Sequence, residues 1–193
     1  MDAWFDKNDL IMYYKYLDKC NYYFEYGIGR SLYQASLRDN IKRIIGVESD
    51  PEWVDKVKKM IGEDDRVEIR FCEMDAIPKK IGRPGPKSTK EQWINYSDQI
   101  IFIDKDLVKK LDFVLIDGRF RVACCLKCFD VVGDNCYIAF DDFFKRCQLY
   151  RIVLNYYEIV DITDDKNLVI LQKKKGSKSP SLDLIKQYEE EVM

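Results

Sequence analysis

Several apolar runs in this chain end on acids. R-I-I-G-V-E closes on Glu48, L-D-F-V-L-I-D on Asp117, and C-Y-I-A-F-D-D on Asp141 and Asp142. Further upstream, F-E-Y-G-I-G-R-S-L (24–32) sets Glu25 two residues before Gly27, with Gly29 following. A glycine pair lets the backbone turn sharply and lets a ligand approach with no Cβ in the way. Glu48, twenty-one residues after Gly27, stands where an acid can accept from both hydroxyls of a ribose. That much suits any nucleoside ligand. The full dinucleotide fingerprint asks for a third glycine three residues after the second. Leu32 stands there instead. Glu25 would also repel a pyrophosphate, and it suits a cationic ligand. These residues therefore favour a positively charged nucleoside over a nicotinamide dinucleotide.

Strands and helices must alternate to bring such residues together. Residues 3–19 have helical spacing through Trp4, Leu10, Tyr13, Tyr14 and Leu17. Strands are expected at 22–26, 43–47, 66–71, 111–116 and 136–140. Helices are expected from Ser31, as cap, to about Asp39, from Pro51 to Ile61, over 120–132 and over 145–155. Pro78, Gly82, Pro84, Gly85 and Pro86 make 78–99 a long insertion loop. Tyr157–Ile162 and Asn167–Gln172, joined through T-D-D-K, form a hairpin. Strands alternating with helices give an α/β fold with a mostly parallel sheet. Such sheets bind ligands at the carboxyl ends of their strands, where the acids stand.

Composition narrows the function classes. The 193 residues, 47% hydrophobic, suffice for one domain. The expected division is a single domain over 1–175, including an N-terminal helix (1–20), and a linker with a detached acidic helix over 176–193. A net charge of −2 gives no global basic field, so no nucleic-acid partner is expected. No signal peptide and no run of membrane-spanning length stands out. Seven cysteines, an odd number, suit reduced thiols in a cytoplasmic protein. Cys124, Cys125 and Cys128 lack a second paired C-x-x-C and read as small buried residues rather than a zinc site. Histidine is absent, so acid–base chemistry falls to Asp, Glu, Lys, Tyr or Cys.

Taken in order, Y-F-E-Y-G-I-G, I-I-G-V-E, M-D-A and D-F-V-L-I-D-G, followed by the closing hairpin, resemble the motif series of class I S-adenosylmethionine-dependent methyltransferases. The resemblance spans about residues 20–173. It implies a Rossmann-like sheet of seven strands, the last antiparallel, and S-adenosylmethionine as cofactor. Glu25, Gly27 and Gly29 would face the methionine part, with Tyr26 and Ser31 beside them. Glu48 and Ser49 would hold the ribose, Asp75 and Ala76 the adenine, and Asp117 would lie beneath the sulfonium. I-D-G (116–118) and F-D-D-F (140–143) also resemble the metal-dependent catechol and sugar O-methyltransferases. On that resemblance Asp117, Asp141 and Asp142 would hold magnesium. The lysine base of the catechol group is replaced by Phe120, and Arg119 becomes a candidate catalytic or substrate-binding residue. The expected activity is O-methylation of a small molecule or sugar. A catalytically silent binding domain and a nicotinamide-dependent oxidoreductase are the alternatives. The acceptor and the oligomeric state are not legible in the sequence.

Overall fold

The apolar runs become strands, and their acidic ends gather along one edge of a single sheet. The computed structural model describes residues 2–3, 5–77, 80, 82–165 and 167–191; Trp4 and Pro78 lie outside the described residues. The strands are β1 (Tyr22–Tyr26), β2 (Arg43–Glu48), β3 (Val67–Phe71), β4 (Phe113–Ile116), β5 (Tyr137–Phe140), β6 (Tyr157–Ile162) and β7 (Val169–Lys173). Their order is β3-β2-β1-β4-β5-β7-β6. The first five are parallel, and β7 runs antiparallel to both β5 and β6. Strand β4 is the central strand, β4 and β5 are the shortest, and β4 is buried along its whole length, as a parallel strand covered on both faces must be. At the edge, β3 alternates apolar Val67 and Ile69 with Glu68 and Arg70. Glu68 pairs there with Arg43 and Arg70, and such charges discourage pairing with another chain.

The helices are α1 (Lys7–Leu17), α2 (Arg30–Ser36), α3 (Pro51–Ile61), α4 (Lys90–Asp98), α5 (Lys105–Val108), α6 (Arg121–Val131), α7 (Cys147–Tyr150) and α8 (Leu182–Glu189). They cover the two faces of the sheet. On one, Tyr23, Ile44, Phe113 and Leu115 share a core with Tyr13 and Leu17 of α1, Leu32 of α2 and Val57 of α3. On the other, Phe24, Val47, Val114 and Ile138 share a core with Tyr96 of α4, Cys124 and Cys128 of α6 and Ile185 of α8. The period-two alternation of a strand thus assigns Tyr23 to the α1 side and Phe24 to the α6 side. Cys124, Cys125 and Cys128 are wholly buried free thiols.

Helix α3 starts as its sequence dictates. Asp50 accepts from the backbone N–H groups of Glu52 (3.0 Å) and Trp53 (3.2 Å), with Pro51 in the first turn. Elsewhere the structure departs from expectation. Residues 78–99 are not all loop: α4 is capped by Thr89, whose hydroxyl accepts from Gln92 N–H while the Gln92 side chain accepts from Thr89 N–H. This reciprocal capping box was hidden by the glycines and prolines before it. Residues 145–155 form the short α7 between two 3-10 turns (Phe144–Arg146 and Arg151–Asn155) rather than one helix. Helix α8 is not detached. Ile185 enters the core and Glu189 pairs with Lys127 of α6. Ser31 does not cap α2, which starts at Arg30 after Gly29. Among the described residues no helix is long and apolar enough to cross a membrane.

Candidate functional site

Strand order reverses between β1 and β4, the position where open α/β sheets bind ligands. Gly27 ends β1 there with φ of +84°, in the left-handed region that favours glycine. A Cβ on Gly27 would lie 2.6 Å from Gly118 Cα. A Cβ on Gly118 would lie 2.0 Å from the Tyr96 hydroxyl. Two backbones and a phenol thus meet back to back at the floor of a cleft of about 650 Å³. Gly27, Gly29, Glu48, Ser49, Trp53 and Tyr96 line one part of the cleft. Asp117, Arg119, Arg121, Asp141, Asp142, Lys145 and Arg146 line another.

Glu48 closes β2 and is nearly buried. Its Oε1 accepts from the N–H groups of Ser49 (2.7 Å) and Asp50 (2.9 Å). Burial raises its pKa above the usual carboxylate value, and these two donors oppose the rise. The turn therefore fixes the carboxylate before any ligand arrives. Gly82 crosses over it, accepting from Ser49 Oγ at 3.1 Å. A Cβ at Gly82 would crowd that hydroxyl at 2.7 Å.

Glu25 does not line the cleft. On the α1 side of β1, and wholly buried, it accepts from the Tyr23 hydroxyl at 2.5 Å and from Ser31 Oγ at 3.2 Å. Gly29 N–H donates to it as well. It braces the glycine turn from behind. Burial pushes its carboxyl up to about 8, with the Tyr23 and Ser31 hydrogen bonds opposing. Tyr26 points to the other face, its hydroxyl donating to Ser97 O at 2.6 Å. Asp75, at φ +47°, accepts from Lys87 N–H at 3.0 Å and faces the 82–89 segment. Neither Asp75 nor the half-buried Ala76 is among the described residues lining the cleft. Of the expected cofactor residues, then, Gly27, Gly29, Ser31, Glu48, Ser49 and Asp117 meet in one cleft.

The three acids expected to hold magnesium do converge, but on an arginine. Arg121 Nη2 lies 2.8 Å from Asp117 Oδ1; Nη1 lies 3.3 Å from Asp141 Oδ2 and 3.6 Å from Asp142 Oδ2. Lys145 Nζ takes Asp142 Oδ1 at 2.8 Å. Burial raises the pKa values of both Asp117 and Asp141, and the neighbouring acids add to the rise. Arg121 counters the rise in both. A magnesium ion needs near-octahedral oxygen ligands, and here a fixed guanidinium already engages an oxygen of each acid. The set does not fit the metal. Arg119 reaches out of the same turn, donating from Nη2 to Lys80 O at 3.0 Å, while its backbone N–H meets the Tyr96 hydroxyl at 3.4 Å.

Trp53, Tyr96, Gly82, Arg121 and Asn167 line the cleft without having been singled out as site residues in the sequence. Arg121 alone gave a signal, an arginine four residues after Asp117 at a helix start.

No family model matches the chain, and no curated protein matches its sequence. Solved structures do match. A methyltransferase-like protein from Silicibacter pomeroyi shares 20% identity over 97% of this chain and 96% of its own, with a TM-score of 0.78. This chain has the Rossmann-like methyltransferase fold. An RNA methyltransferase from Salinibacter ruber, solved with S-adenosyl-L-homocysteine, aligns at 14% identity and a TM-score of 0.56, over 93% of this chain and all of its own. A Streptococcus pneumoniae protein proposed as a tRNA methyltransferase, solved with S-adenosyl-L-methionine, aligns at 10% identity and 0.53, over 94% of this chain and 78% of its own. In this chain the cleft lies at the β1–β4 switch point, lined by Gly27 and Gly118, with Glu48 at the end of the neighbouring β2.

Proposed function

We propose that the chain is an S-adenosylmethionine-dependent methyltransferase acting on an oxygen nucleophile of a small molecule or sugar. The observation that carries the reading is the pre-set Glu48 carboxylate at the end of β2, facing the same cleft as the Gly27–Gly118 contact. Cofactor and product in the aligned structures from Streptococcus pneumoniae and Salinibacter ruber support it. Glu48 would hold the ribose, and the Gly27–Gly29 turn would let the cofactor lie against the backbone. The bound cofactor would supply an electrophilic methyl group on a sulfonium.

The residues on the other side of the cleft suit the acceptor. Burial raises the pKa values of Asp117 and Asp141, and either one, when ionised, would take the proton of an acceptor hydroxyl as its oxygen is methylated. Carboxyls with raised pKa values are better matched to this near neutral pH than free ones. Arg121 holds both in place and lowers the cost of ionising them. Most of the rate enhancement would come from holding the acceptor oxygen in line with the methyl carbon.

A second acceptor class has its own support. Arg30, Arg119, Lys145 and Arg146 line the cleft, a local basic group of the kind that meets phosphates, and two of the aligned structures are named for RNA or tRNA methylation. Transfer from labelled cofactor to sugars, catechols, nucleosides and short RNA decides between the acceptors. Binding of S-adenosylhomocysteine with no transfer to any of them would leave a silent binding domain. Stabilisation by NAD alone would overturn the cofactor assignment.

A further inference from the structure

Beside the cleft, carboxylates from two distant parts of the chain converge. Asp6 precedes α1, Asp9 lies in its first turn, and Asp165 sits in the turn between β6 and β7. A carboxylate oxygen of each lies within 4.8 Å of those of the other two. Exposed acids at a helix start need no explanation, and Asp6 and Asp165 are exposed. Asp9 is different, because it is completely buried. Its Oδ2 accepts from Asn167 Nδ2 at 2.7 Å, while its Oδ1 has no hydrogen-bond partner among the described residues. Asn167, 9% exposed, also leaves its buried Oδ1 without a partner. These are the two such atoms recorded among the described residues.

Buried acceptors without donors are destabilising, and a buried carboxylate more so than an amide. Lys145 feels the charge of Asp6 but is bound to Asp142. Exchanging the amide atoms of Asn167 would turn an oxygen toward Asp9 Oδ2 and lose its one bond. What both orphaned oxygens lack is a positive centre. We propose that Asp6, Asp9, Asp165 and Asn167 form a binding site for a hard divalent cation, calcium or magnesium. Three carboxylates and an amide carbonyl are the oxygen donors such ions take. With no nitrogen or sulfur ligand, the set does not suit zinc or copper.

The site is separate from the Asp117–Asp141–Asp142 set, whose oxygens face Arg121. Its ligands come from both ends of the fold, so an ion there ties the start of α1 to the β6–β7 turn. Ala3, Phe5 and Asp6 line the cleft, and Asn167 Nδ2 also reaches Asp141 Oδ1 at 3.5 Å. The ion would therefore set one wall of the cofactor cleft.

The test is calorimetric titration and thermal melting of the chelator-treated full chain, with calcium chloride and magnesium chloride in separate arms. One ion should bind with one-to-one stoichiometry and raise the melting temperature with the logarithm of its excess over Kd. Asp165→Asn, at an exposed position, leaves folding intact and should weaken binding by at least the roughly 10- to 100-fold that loss of an outer-shell partner costs at metal sites. Asp9→Asn should do the same and raise the melting temperature of the metal-free protein, because it removes the unpaired buried charge. No binding of either ion at millimolar concentration would overturn the proposal. Equal binding by wild type and both variants would overturn it too, by moving the ion to other acids.

Discussion

Glu25 is a buried acid whose ionisation should contribute strongly to how the stability of the free protein depends on pH. Unfolded, it loses its proton near its ordinary value of 4.5; folded, burial holds the proton until about pH 8. Between those values the folded state binds one proton more than the unfolded state. Stability must therefore fall as pH rises across that window, by about 1.4 kcal/mol per unit from this group alone. The full contribution is present below pH 4.5 and is lost by about pH 8. The accumulated loss is about 3–6 kcal/mol, a large part of a domain's net stability. Glu25→Gln keeps the shape and an acceptor for Tyr23 or Ser31, and it cannot ionise. Urea unfolding of wild type and variant at intervals from about pH 5 to about pH 9 isolates the group, because other titrations cancel in the difference. The variant should match wild type at the acid end and exceed it at the alkaline end by about 3–6 kcal/mol. Parallel curves would refute the reasoning. They would mean that Glu25 stays ionised in the fold, with Tyr23 and Ser31 donating strongly enough to offset its burial.

Other expectations follow from the cleft. S-adenosylhomocysteine at 100 times its Kd should add about 2.7 kcal/mol and raise the melting temperature by about 5–11 °C, with NAD giving no shift. Glu48→Ala, which removes a charged acceptor, should weaken that binding about 10- to 150-fold in calorimetry while the fold survives. Gly27→Ala should cost about 2–5 kcal/mol in chemical unfolding, combining a left-handed alanine with a Cβ driven into Gly118. Arg121→Met should cost about 3–5 kcal/mol near neutral pH, because it leaves carboxylates unpaired around a site only 12% exposed. At acidic pH, where burial favours protonated Asp117 and Asp141, much of that deficit should vanish in the same urea assay.

How far these features could be read in the sequence depended on whether their causes were local. Pro51 after Asp50 announces a helix start in two residues, and the helix begins there. Uncharged runs ended by acids announce parallel strands with ligands at their tips, and Glu48 and Asp117 line the cleft. The capping box of α4 was equally local, but it lay directly behind Gly85 and Pro86. The misplaced role of Glu25 has another cause. Strand alternation fixes that Tyr23 and Glu25 share a face and that Phe24 and Tyr26 share the opposite one. Which face backs onto α2 and which onto α6 is decided by helix packing. Asp9 and Asn167 lie 158 positions apart, and no local signal joins them.

The acids after β4 and β5 show how one residue changes the chemistry of an arrangement of types. Asp117, Asp141 and Asp142 are the residues a cation would want, and their convergence was legible. Three carboxylates that close must be neutralised, by protons, by a metal or by a basic side chain. Arg121 follows Asp117 by four residues, and α6 begins at Arg121 itself, so its side chain turns back over the end of β4. Phe120 makes that turn possible by adopting φ of +52° just before the helix, with its ring against Trp93. The left-handed residue is thus what delivers the guanidinium to Asp117, Asp141 and Asp142. A helix begun one residue earlier would rotate residue 121 by about 100° and separate the arginine from them. The positive charge at this site is therefore built into the backbone path between β4 and α6.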